Sequence, residues 1–463
     1  MTNLRRHDVL LLAVACASLL AAGTLAVRCR EQRVERLRAS PTLDQAPPAV
    51  LFTTVALGGF RGLLADVLWL RVAHLQDEGR YTEIVQLSDW ISRLEPEDAE
   101  VWEYHAWNMA YNVSALLAGE EDRWRWVRHG IHLLRDEALR YNPGEPRLYA
   151  QLSWLFQHKM GAFSDDANIY YKHRWNDEME AYFPGGRTPW ETPGTMDRIR
   201  DELRMSADTI REFELAIGKL DWRLPESHAA YWAFAGLQAP RDNGTMTCRR
   251  LLYQTLATLF FRGTRVPDPD PGVDLRLTRT DLAGAALAAF AQAIPSSHDP
   301  DMDHAISNFV HDAILVFEAR GDSSHANEFL ELMRKRYPGT APSVEAFVGA
   351  EPEFATLHAH GVEPLAIVEG LLWRHFTAMT NDDARTASTT LAAARRMWTS
   401  METRYPAEVR RRFGMPTFGH FRAAVLEQVT SSLAPERSTR LRKEVGKESA
   451  DEPRMGPAPP DNP

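Results

Sequence analysis

The sequence predicts an all-α protein assembled from helical hairpins, and three observations predict it. Runs that alternate apolar and polar residues are scarce throughout the chain. A glycine is followed seventeen residues later by a proline at two distant places, Gly79 with Pro96 and Gly321 with Pro338. Between and beyond these marks the apolar residues recur at helical spacing, as at Ile84 and Ile91 or at Trp102, Ala106 and Met109. Glycine tolerates the left-handed torsions of a tight turn between helices. Proline lacks an N–H and disfavours helix in the residue before it, so it ends the second helix.

From the N-terminus, Val9 to Val27 carries no charged residue. As a helix at about 1.5 Å per residue it spans roughly 28 Å, close to the hydrocarbon core of a bilayer. Residues 1–39 are therefore expected to be a transmembrane anchor with a basic juxtamembrane segment. Arg28, Arg30, Arg33, Arg36 and Arg38 follow the run, against Arg5 and Arg6 before it, which leans the remainder of the chain toward the cytoplasm. Residues 40–49 form a proline-bearing polar linker. The next apolar stretch contains Arg61 and Asp66, whose burial in lipid would be costly, so it reads as a helix pair outside the membrane.

Residues 50–181 carry the repeated pattern. Gly79 makes the turn, Tyr81 opens the second helix, Ile84 and Ile91 face the first, and Pro96 closes the unit. A new unit starts at Ala99, with Trp102 at the large packing position and Ala106 where two helices approach closely. His105 stands where a leucine is expected. The frame returns with Pro143, Tyr149, Leu152, Ser153 and Phe156, and again with Phe317, Ala326, Leu330 and Met333. These marks resemble the tetratricopeptide (TPR) repeat, a pair of antiparallel helices in about 34 residues. The resemblance covers about 65–160 and about 303–340. It implies a TPR-like helical-hairpin solenoid that binds protein segments.

Residues 182–280 read as a divergent helical region with long loops, containing one long helix from Met196 to Leu220 and another over Arg249–Arg262. Residues 281–433 read as a further TPR-like helical region, with a hairpin turning at Asn381-Asp382-Asp383. From Ala434 charged, proline and small polar residues dominate, so 434–463 is expected to be disordered.

The chemistry-bearing motifs are few. A net charge of -10 excludes a general nucleic-acid binder. Three cysteines make no disulfide framework and no zinc CxxC pair. Zinc-protease, phosphate-loop, dinucleotide and nucleophile-elbow motifs are absent. His298, Asp299, Asp301, Asp303, His304, His311 and Asp312 lie close together. His311-Asp312 resembles the central pair of the helical HD phosphohydrolases, but His304 is only seven residues upstream and departs from that spacing. Asp near a helix N-terminus is the simpler explanation of the cluster. In the loop 267–274, prolines fill the positions between Asp268, Asp270 and Asp274 that a calcium loop would need.

Tyr104, Trp107 and Tyr111 fall partly on the face opposite the packing residues. Exposed aromatics there would line a partner groove. The expected function is a membrane-tethered scaffold that engages protein partners, without cofactor or catalysis. In layout it is similar to bacterial membrane-anchored TPR proteins that assist envelope assembly, although it lacks the paired CxxC of the lipopolysaccharide-assembly member. The alternatives are an HD-like metal-dependent hydrolase using His304, His311 and Asp312, and a non-catalytic subunit of a membrane complex.

Overall fold

The computed structural model describes residues 60–241, 244–293, 300–337, 339–350 and 364–451. The Val9–Val27 run, the Arg28–Arg38 cluster, the 40–49 linker, His298 and Asp299 lie outside these residues. Among the described residues the protein is all-helical apart from one two-residue strand pair, and no helix is long and apolar enough to cross a membrane. The described residues form two compact units, one holding 60–117 together with 126–143, the other holding 118–125 and the described residues from 144 onward.

The first unit begins with α1 (Phe60–Asp77) and α2 (Tyr81–Leu94). Their turn has Gly79 at a φ of 69°, with the Arg80 N–H donating to the Leu75 carbonyl and the Gly79 N–H to that of Gln76. This is the Schellman ending, in which a left-handed residue lets two orphan carbonyls be satisfied. Ala65, Val72 and Leu75 of α1 bury themselves against Ile84 and Ile91 of α2 and Val101 of α3 (Ala99–Trp107). Asp98 caps α3 by accepting from the Glu100 N–H, and the Pro96 carbonyl accepts from both the Trp102 indole and the Asn142 amide. Pro96 thus fixes two later segments as well as ending α2.

α3 continues as a π-helical stretch, Asn108–Val113. The wider turn shifts the buried face by one residue, so Ala110 and Val113 are buried and Met109 only half-buried. α4 (Glu120–His132) runs through a second π stretch, Leu133–Ala138, into the short α5 (Leu139–Tyr141). Gly130 is required where it stands: a Cβ there would lie 2.9 Å from the Ala106 carbonyl oxygen. The close approach expected at Ala106 is therefore present, and its partner is a glycine. Val127, Ile131 and Leu134 share the buried face, while Trp126 is half-buried against His129.

In the second unit α6 (Pro146–Trp154) passes into a third π stretch, Leu155–Gly161, followed by α7 (Asn168–Glu180). The single helix expected over Met196–Leu220 is instead two, α8 (Thr195–Leu203) and α9 (Ala207–Ala216). Arg204 takes a left-handed φ of 56°, and the Ser206 side chain accepts from the Thr209 N–H, so one helix is stopped and the next capped within three residues. α10 (Pro225–Leu237) is buried along nearly its whole surface and packs against α6 and α11 (Thr245–Arg262). Trp175, Phe183, Phe213, Trp222, His228 and Tyr231 form the aromatic core beside it.

The irregular stretch after α11 closes on itself: β1 (Thr264–Arg265) pairs antiparallel with β2 (Arg276–Leu277). α12 (Ala283–Ala293) leads to the hairpin α13 (Pro300–Arg320) and α14 (Ser323–Arg336), then α15 (Val344–Ala350). A second hairpin joins α16 (Pro364–Thr380) to α17 (Ala384–Arg404). Both turns repeat the geometry at Gly79, with Gly321 and Asp382 in the left-handed position and the same pair of backbone hydrogen bonds. After α18 (Ala407–Arg412) and α19 (Phe418–Ser431) the expectation of disorder from Ala434 is corrected over part of its length. A helix, α20 (Pro435–Asp451), is present, and it buries Leu441 and Val445. These two residues stand four apart on a face that packs on α16 and α19, and Arg442 pairs with Glu427 beside them. Residues beyond 451 lie outside the description.

Candidate functional site

The aromatic trio divides. The Tyr104 ring packs edge-on against Trp69 at 5.2 Å and its hydroxyl donates to Gln76 Oε1 at 3.2 Å. Tyr104 thus joins the α1–α2 core, and burial raises its phenol above the ordinary value. Trp107 keeps 38% of its surface exposed and stacks on Tyr111 with centroids 5.8 Å apart and planes 24° apart. The π stretch that begins at Asn108 carries Tyr111 beneath Trp107. Of the three, Trp107 is exposed, while Tyr104 and Tyr111 are half-buried. Offset-stacked rings of this kind present a broad, rigid, apolar face at small conformational-entropy cost.

His105, between Tyr104 and Trp107, points the other way. It is buried, and among the described residues neither ring nitrogen has a hydrogen-bond partner. Burial pushes the imidazole down to about 4, with Asp89 opposing weakly, so it is neutral near pH 7.

Of the second candidate group, the described side chains are His304, His311 and Asp312. His304 and His311 sit seven residues apart on α13, about 10 Å along its axis. That is two helical turns, where a helical pair of histidine ligands stands one turn apart at i and i+4. His311 Nδ1 lies 3.0 Å from Asp312 Oδ1 and its ring packs on Phe347, while Asp312 is buried. Among the described residues no group of three or more His, Cys, Asp or Glu side chains is placed to hold a metal ion. In the 267–274 loop Asp268 and Asp270 accept backbone N–H bonds from Asp270 and Gly272, and Asp274 turns inward. The three carboxylates do not face one point.

Asp274 leads to a buried ionic network in the second unit. Its carboxylate meets Arg276 Nε at 2.6 Å, Arg262 Nη2 at 3.2 Å and Lys172 Nζ at 3.5 Å. Arg276 reaches Glu226 at 3.5 Å, and Lys172 donates to Asn168 Oδ1 at 2.9 Å. The Lys172 ammonium and the Arg262 guanidinium both lie over the Phe163 ring, 4.3 and 4.4 Å from its centroid. Nearby, Asp165 binds Lys159 at 2.5 Å and Arg123 at 3.1 Å. Burial alone would raise the Asp274 carboxyl, but Arg276, Lys172 and Arg262 outweigh it and hold the group well below the carboxylate range. Burial lowers Lys172 to about 8 against the pull of Asp274. Each carboxylate is met by cations, so the network acts as a strut joining the Leu155–Gly161 stretch, α7, α10, α11 and β2.

The chain matches no family model, no curated protein and no solved structure.

Sequence reasoning did not find the network. Lys172 interrupts the apolar face of α7 and Arg276 stands between the buried Leu275 and Leu277, which is the trace it leaves. Nothing local pairs two residues so far apart in the chain.

Proposed function

We propose that this chain is a membrane-tethered, TPR-like scaffold that holds a protein segment against the Trp107–Tyr111 face. One observation carries the reading: Trp107, 38% exposed, stacks on the half-buried ring of Tyr111. Three features support the likeness to TPR units. The hairpin turns at Gly79, Gly321 and Asp382 share one geometry, Trp102 fills the interior of the first unit, and Ala106 meets Gly130 at close range. The uncharged Val9–Val27 run supports the tether, and the five arginines that follow it lean the remainder toward the cytoplasm. Aromatic anchors in such a groove supply most of the affinity, with neighbouring charges setting register.

The test is capture from native membranes in mild detergent through a C-terminal tag. A stoichiometric protein must co-purify with the wild-type chain and be lost from the Trp107→Ala/Tyr111→Ala variant, with helix content unchanged by circular dichroism. A partner retained by that variant would remove the Trp107–Tyr111 face from the reading. A chain that stays in the soluble fraction without detergent would remove the tether.

A further inference from the structure

α1 is apolar on both sides. Ala65, Val72 and Leu75 enter the core of the first unit, and Leu68 and Trp69 pack at its edge. On the opposite face Leu63, Val67 and Leu70, at spacings of four and three, are 64%, 55% and 74% exposed, with Leu64 beside them. A helix that is hydrophobic all round is ordinarily covered on every side. The patch occupies the N-terminal half of α1, flanked by Asp66 and Arg71, and gives way to His74.

We infer that the Leu63/Val67/Leu70 face of α1 docks on an anionic lipid surface, lying in the interface beside the bilayer. This rests on the reading of Val9–Val27 as the tether. The described residues begin with this helix, separated by 32 residues from the end of that run. The 32 residues from Arg28 to Gly59 reach at most about 110 Å even when fully extended, so the face stays near the bilayer. Five arginines lie in that connection and attract anionic headgroups. Leucine and valine on one side of a helix suit insertion at the boundary between headgroups and acyl chains. A second copy of the chain is the weaker occupant: four partly exposed side chains fall far short of the roughly 800 Å² per partner of a stable interface.

The test uses the full chain in vesicles containing one third phosphatidylglycerol, in a Cys16→Ser/Cys29→Ser background. An environment-sensitive fluorophore is attached to Val67→Cys or Leu70→Cys, and to Leu215→Cys as a control on an exposed residue of the second unit. Brominated acyl chains should quench the first two probes at least twofold and leave the control unchanged. Unquenched probes at 67 and 70 on a protein that floats with the vesicles overturn the docking and leave the tether standing. Blue-shifted emission without lipid quenching means a protein occupant and overturns it as well. A chain that does not float at all refutes the tether, and the docking falls with it.

Discussion

Replacing His105 by leucine is expected to stabilise the first unit, and by more at pH 5 than at pH 7.5. The native imidazole is buried, and among the described residues neither nitrogen has a hydrogen-bond partner. Leaving a polar group unsatisfied costs about 1–3 kcal/mol, which His105→Leu should recover near neutrality. The pH term adds to this. An ordinary histidine titrates at 6.5 and this one at about 4, so the unfolded chain takes up a proton that the folded chain refuses. The stability is complete above pH 6.5 and is lost as pH falls toward 4, at up to about 1.4 kcal/mol per unit. At pH 5 the loss attributable to His105 is about 2 kcal/mol. The leucine variant should therefore exceed the wild type by roughly 3–5 kcal/mol at pH 5. His132 is shifted in the same direction by burial, so the comparison is made against the wild type and not against zero slope. Hydrogen exchange over α1–α3, corrected for intrinsic rates, reads the opening free energy of this region directly. A variant less protected than the wild type at pH 7.5, or one that keeps the whole wild-type pH difference, would refute the reasoning.

Other substitutions test the turns and the network. Gly79→Ala should cost about 1 kcal/mol, because the left-handed backbone is strained for any Cβ. An added Cβ there meets nothing within 4 Å, so thermal melting of this variant isolates the backbone cost, and an unchanged melting point contradicts it. Asp274→Ala should cost on the order of 3–5 kcal/mol by leaving Arg276, Lys172 and Arg262 without their shared carboxylate. A drop under ~1 kcal/mol in urea titration would mean that water or a second carboxylate already carries that charge.

The turns were legible because their causes are local. Gly79, Gly321 and the Asp382 corner each need one left-handed residue, and the sequence marks that need directly. Pro96 was legible as a stop, but its carbonyl's hold on Trp102 and Asn142 depends on tertiary placement. Arg204 hid the break between α8 and α9, since arginine is a good helix former and only the Ser206 cap behind it signals the restart. α20 was missed because two apolar residues, Leu441 and Val445, suffice once α16 and α19 offer a surface. Helical spacing placed Tyr104 with Trp107 and Tyr111, and Trp69, thirty-five positions earlier, drew it into the core instead.

The Asp274 network also bears on how the second unit can be cut. An array of repeats held only by neighbouring contacts can be shortened at a repeat boundary and keep the rest. Here Lys172 and Arg262 are supplied before the β1–β2 loop, and the carboxylate that makes their burial tolerable arrives near that loop's end. The 412–414 corner then closes over the same place, with the Asp274 N–H donating to the Gly414 carbonyl. A fragment ending before Asp274 would carry Lys172 and Arg262 into its interior without the carboxylate they share. The second unit is modular in its secondary structure and indivisible in its charge.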